Sequence, residues 1–221
     1  MQLFPKFEIN SFENIVRFLN EQNVGRIASI DHDGYPQIIP MNFVFVKNDN
    51  DTSKIRSSGF IYMHSHPRGE KIDNLVRNPK SGFEVDLHVC FLPSYYFHPS
   101  DASQADTLYI SVVIKGTTSI VLSTQEKALA LNALMAKYQK EGIYEPLNGN
   151  HSSVREVTVL KLIPNQIRGK YKLGQHWTPS FRLDIAKKIV NRESEPKEIL
   201  SLMGIEILPN NELIIKKDPI L

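Results

Sequence analysis

The segment "IYMHSHPRGEKIDNLVRNP", residues 61–79, gathers His64, Ser65, His66, Arg68 and Lys71 where an apolar run gives way to a helical pattern. Arg68 offers a planar set of donors, Gly69 allows close backbone approach, Lys71 adds a compact charge, and a helix start presents free N–H groups. Together they suit an anion such as a phosphate. A helix N-terminus ordinarily prefers acidic side chains, so two cations there are mismatched unless something negative is bound. The plain alternative is a solvated helix start, which is common for basic residues. His64 and His66, two apart, share a strand face if the strand continues that far, and Pro67 limits it. A metal site needs at least a third ligand, and His88, His98, His151 and His176 stand at no established ligand spacing, so no metal is assigned.

The elements that must position these residues are readable around them. Ser11 precedes Phe12, Ile15, Val16 and Leu19 at helical spacing, which predicts an amphipathic helix over 12–22. "VGRIASI" and "YPQIIPMNFVFV" read as two strands joined by a hairpin whose Asp33-Gly34 pair can take positive φ. Pro36 and Pro40 cannot donate ladder hydrogen bonds, which puts the second strand at an edge or breaks it near "IPMN", with backbone groups free for a ligand. A polar loop over 47–59 leads to a strand over 59–65, then to a helix carrying Ile72, Leu75 and Val76 that "RNP" stops. Residues 82–90 alternate as a half-buried strand. "LYISVVIKGTTSIVL" reads as one bent strand or two with Gly116 at the bend, Thr124 caps a helix over "QEKALALNALMAKYQKE", and "VREVTVLKLI" reads as a strand.

Residues 165–221 differ in character: basic "RGKYKLGQHW", a helical pattern over 181–203 and a short hairpin around Pro209, Asn210 and Asn211. The expected organisation is therefore a barrel domain over 1–164 and a C-terminal extension over 165–221 packed on it. Strands dominate and are mostly hairpin-linked, which favours a mainly β, antiparallel barrel of Greek-key type with peripheral helices over a doubly wound parallel sheet.

Composition limits the function classes. The 221 residues carry 26 basic and 24 acidic side chains, for a net charge of +2, so no general footprint for nucleic acid or anionic membrane is present. Cys90 is the single cysteine, which excludes an internal disulfide and fits a reducing compartment. Packing explains it better than reactivity. The N-terminus lacks a basic region followed by an apolar core, and no apolar run reaches membrane-spanning length, so a cytoplasmic location is expected.

"VGRIASIDHDGYPQIIPMNFVF" followed by "FIYMHSHPRGEKIDNLVRNPKSGFEVD" resembles the FMN-binding split β-barrel superfamily of pyridoxamine 5'-phosphate oxidase, closest to its nitroimidazole-resistance-like branch. The resemblance covers roughly residues 12–163 and rests on an ordered series: strand, D-G turn, "P-x-N", strand ending in His-Ser, Gly-x-Lys, helix, and "NP" before a strand of the "FEVD" type. It implies that Lys71 and Arg68 hold the FMN phosphate, with His64 and Ser65 near the phosphate or ribityl chain. It also implies that Pro40, Met41 and Asn42 line the isoalloxazine, and that the protein is a homodimer with FMN at the subunit interface. "GQHWTPSFRL" is similar to the closing Trp-to-Arg-Leu segment of the true oxidases, with different spacing. Trp177 would then stack near the cofactor and Gln175 would offer a polar contact, the alternative being a tryptophan that anchors the extension. "KYKLGQ" also resembles a segment of related flavin-binding proteins described as regulators.

Two functions follow from the resemblance. One is an FMN-dependent oxidoreductase reducing a small electron-poor substrate, a nitroaromatic or quinone, with His64 as catalytic proton donor. The other is a non-enzymatic flavin or haem carrier or sensor, with His64 or a tail histidine as axial ligand. A hydrogen-bonded structural role for His64 stays open beside both. The oxidases' substrate-binding cluster of arginine and histidine has no convincing counterpart, so pyridoxamine phosphate is not expected as substrate.

Overall fold

A computed structural model describes residues 4–48 and 59–219 of the chain. Most of the polar loop expected over 47–59 lies outside the described residues. Helix α1, Phe12–Glu21, buries Ile15, Val16, Phe18 and Leu19, the i, i+3, i+4 stripe of an amphipathic helix. Strands β1, Val24–Ile30, and β2, Pro36–Asn42, pair antiparallel from Val24↔Asn42 to Ile30↔Pro36. Their turn is held by the Asp31 carboxylate, which accepts from the N–H groups of Asp33 and Tyr35, while Gly34 takes a φ of 88°. That positive φ is what a side chain with a Cβ resists.

Strand β3, Val44–Lys47, pairs with β4, Gly59–Ser65, and β4 pairs in turn with β7, Thr158–Lys172. With β5, Lys80–Leu92, and β6, Asp106–Ile120, they form a seven-stranded sheet of order β2-β1-β5-β6-β7-β4-β3. The run 35–46, expected to lie at an edge or to break near "IPMN", is two strands split at Phe43, directly after that stretch. Consecutive strands separated by one residue occupy the two ends of the order, which a flat sheet cannot achieve. The sheet rolls into a barrel, joined covalently at Phe43 and split between β2 and β3. Pro36 and Pro40 sit on a terminal strand, where their missing donors cost no ladder bond.

Other boundaries depart from the sequence reading. Ser123, not Thr124, caps helix α3, Thr124–Tyr138, by accepting from the Glu126 N–H. Val154, Arg155 and Glu156 belong to a short helix α4, Ser152–Glu156, so the strand expected from Val154 begins at Thr158. In β5 the buried phase runs through Phe83 and Val85 and then slips, so that Cys90 and Leu92 are buried. The tail pattern expected over 181–203 is two helices, α5, Pro179–Arg192, and α6, Pro196–Leu202.

The chain divides into two compact units, each discontinuous in sequence. One comprises residues 12–85 and 112–168. Its interior is built on Phe43, Ile61, Met63, Phe83 and Leu160, while Ala130 and Leu134 of α3 pack with Val44, Tyr62 and Val159. The other comprises residues 1–11, 86–111 and 169–221. There α5 and α6 bury Ile185, Ala186, Ile189 and Leu200, and strands β8, Ile205–Ile207, and β9, Leu213–Ile215, form a hairpin. The expected boundary between residues 164 and 165 falls inside β7.

Candidate functional site

Strand β4 ends at Ser65, and the chain turns through His66–Gly69 into helix α2, Glu70–Arg77. His66 lies past the strand, so the two-residue rule that would align it with His64 does not reach it. Its Nδ1 accepts from the Arg68 N–H at 3.1 Å, and its carbonyl accepts from the Ser65 hydroxyl at 3.1 Å. His66 therefore shapes the turn, while His64 stands exposed at the strand end. Gly69 has a φ of 135°, a backbone state suited to glycine, and no side chain caps the helix start. The cation mismatch argued from sequence is partial, because Glu70 and Asp73 share the first turn.

Lys71 is half-buried and points at β2. Its Nζ lies 3.2 Å from the Met41 Sδ, and burial pulls its pKa below the usual lysine value. A thioether is a weak acceptor. Among the described residues neither Lys71 nor Arg68 pairs with a carboxylate. Met41 is buried, while Pro40 and Asn42 on either side of it are exposed on the terminal strand. Lys71 thus meets the β2 segment at one corner of one unit, with Arg68 in the turn before the helix and Ser65 and His64 at the end of the strand leading into it.

The sequence reading missed what holds α2 in place. Asn74 is almost fully buried; its Nδ2 donates to Gln37 Oε1 at 3.2 Å and its Oδ1 accepts from Arg77 Nη2 at 2.9 Å. The same Arg77 nitrogen donates to the Ile30 carbonyl at 2.8 Å. This network ties the helix to β1 and β2 one turn from Lys71. The available signal was an asparagine lying between Ile72 and Leu75 on the apolar face of the helix.

Gln175 and Trp177 lie in the other unit and are engaged within it. The Gln175 side chain accepts from the Leu173 N–H and donates to the carbonyls of Tyr171 and Lys6. Trp177 packs against Phe97 and edge-on against Phe181, with His176 beside it. Burial first, then Lys6 and Lys172, lowers the pKa of His176.

The corner's donor set fits a phosphorylated, flat heterocycle. Two cations without a carboxylate partner among the described residues stand at the helix start, a thioether lies against Lys71, and the adjoining strand carries two exposed prolines. A group with a dianionic end and a planar body uses all three.

The family model described as pyridoxamine 5'-phosphate oxidase matches residues 11–171. No curated protein matches the chain. Among solved structures, a protein named as a candidate 5-nitroimidazole antibiotic resistance protein from Bacteroides thetaiotaomicron is 25% identical, with a TM-score of 0.59, covering 74% of this chain and 86% of that one. The flavocytochrome Anf3 from Azotobacter vinelandii is 15% identical with a TM-score of 0.60, covering 78% and 72%. A FAD and heme binding protein from Mycobacterium smegmatis is 14% identical with a TM-score of 0.60, covering 75% and 73%. The last two are similar in fold alone.

Proposed function

Because this chain belongs to the pyridoxamine 5'-phosphate oxidase family, we propose that it is an FMN-binding flavoprotein that reduces a small electron-poor substrate of nitroaromatic or quinone type. The observation that carries this reading is the half-buried Lys71 ammonium, set against Met41 of the terminal strand without a carboxylate partner among the described residues. Lys71 and Arg68 would hold the phosphate by charge-assisted hydrogen bonds. Ser65 and His64 would border the phosphate or ribityl chain. Met41 would supply an apolar wall for the ring, and Pro40 and Asn42 would flank it on the exposed strand. When bound, flavin supplies the reducing electrons.

His64, exposed at the end of β4, is the group proposed to hand a proton to the reduced substrate. A homodimer that shares the cofactor across its interface, and a reducing compartment fitted to a single buried cysteine, complete the proposal. Among the described residues no helix is long and apolar enough to cross a membrane.

The test is the visible spectrum of the purified protein titrated with FMN, followed by assay with a reduced nicotinamide and a nitroaromatic acceptor. Flavin bands, quenched flavin fluorescence and acceptor-dependent turnover support the proposal. A Soret band without flavin would transfer the site to haem, and bound flavin without turnover would leave a sensor or carrier.

A further inference from the structure

The seam between β2 and β3 carries a device that the phosphate corner does not explain. At Phe43 the backbone leaves one terminal strand and enters the other. Both its polar groups meet a single side-chain atom: the Phe43 N–H donates to the Tyr138 hydroxyl oxygen at 2.9 Å, and the Phe43 carbonyl lies 3.0 Å from that oxygen. The Asn23 carbonyl lies closer, at 2.6 Å. A phenol accepts freely but has one proton to give, so the shorter contact marks Asn23 as the better acceptor. Asn23 and Phe43 flank the paired residues Val24↔Asn42, so one hydroxyl closes the end of the β1–β2 ladder next to Asn42.

The neighbouring residue reinforces this. Lys137 Nζ sits 3.7 Å from the centroid of the Phe43 ring and donates to the Leu19 carbonyl at 3.0 Å. The Phe43 ring is fully buried and meets Phe83 edge-on, with centroids 5.1 Å apart. The end of α3 therefore grips both the backbone and the ring of the residue that follows Asn42.

We infer that Tyr138 is a positioning residue for the flavin ring: through Phe43 it fixes the backbone of Pro40–Asn42 in the geometry that receives the isoalloxazine, without touching it. This rests on the flavin reading above. It separates the site into a phosphate end governed by α2 and a ring end governed by the last residue of α3.

The separation is what the experiment reads. FMN affinity, the absorption maxima of the bound flavin and its midpoint potential are measured for wild type and Tyr138→Phe, together with competition by ribose 5-phosphate, which has the phosphate and no ring. Tyr138→Phe should weaken FMN by about tenfold and shift the bound spectrum and potential, leaving the ribose 5-phosphate constant unchanged. Equal losses for both ligands, or an unchanged FMN constant and spectrum, overturn the inference. If wild type binds no FMN, the flavin reading fails instead, which is a distinct outcome. Should Tyr138→Phe not fold, amide exchange on wild type decides. The Phe43 N–H must be protected before FMN is added and no less so afterwards; an unprotected amide in the free protein refutes a preset seam.

Discussion

Lys71 is half-buried against the Met41 thioether with no carboxylate beside it among the described residues, and its response to pH follows from that burial. Burial without a carboxylate lowers its pKa, so the free protein releases this proton earlier than an exposed lysine would. A phosphate dianion needs the ammonium form. FMN affinity should therefore fall as pH rises through the lowered Lys71 value, and binding within that range should take up protons. Lys71→Arg, which keeps its charge, should flatten that alkaline decline in a fluorescence titration series. Replacing Lys71 and Arg68 together by alanine should cost about 1.5–3 kcal/mol of FMN affinity for each charge-assisted contact. An unchanged dissociation constant in the double variant removes the phosphate site from this corner. These two residues were legible because cations beside Gly69 at a strand-to-helix junction are a local signal. Asn74 and Tyr138 were not, because each works through backbone or side chains that only the fold brings near.

At the scale of elements, α2 matters as a carrier of Lys71, and the Asn74 network sets where it sits. Asn74→Ala removes bonds to Gln37 and Arg77 from a nearly dry position and should cost about 1–3 kcal/mol of stability in urea denaturation. FMN affinity should fall with it, whereas a stability loss with unchanged affinity would show that α2 keeps its pose without this network. The hairpin, the edge position as one of two alternatives, and β4 were readable from turn residues, prolines and an apolar run, all short-range properties. The misread elements share a cause. Val154 extends the valine pattern of Val157 and Val159 but sits in a helical turn, and Ser123 competed with Thr124 for one cap; neighbouring residues offered two local answers and tertiary packing selected one.

For the whole molecule, Lys137 gives a pH signature that no local reading contains. Burial brings its pKa to about 8, although the Leu19 carbonyl and the Phe43 ring face hold the charged form. A lysine depressed in the fold favours the deprotonated state there. The penalty is fully present below about pH 8 and is relieved as pH climbs toward the ordinary value of 10.5, where the unfolded chain still holds the proton. Stability should rise across that window in wild type relative to Lys137→Met, measured by urea midpoints at matched ionic strength. Equal pH dependence in both proteins would place Lys137 in solvent.

The class of fold was legible in the hairpin-rich order of strands, but the separation of β2 from β3 was not, since no local pattern reports which strands are neighbours in space. That arrangement has a consequence for how the chain folds. Ring closure is usually the entropically costly act of building a cylinder, yet here the two rims are already sequence neighbours, so bringing them together restricts almost no chain. The cost moves to the interior joins, such as Ile61 with Leu162, 101 positions apart, where a long intervening segment must be corralled before the pairing is rewarded.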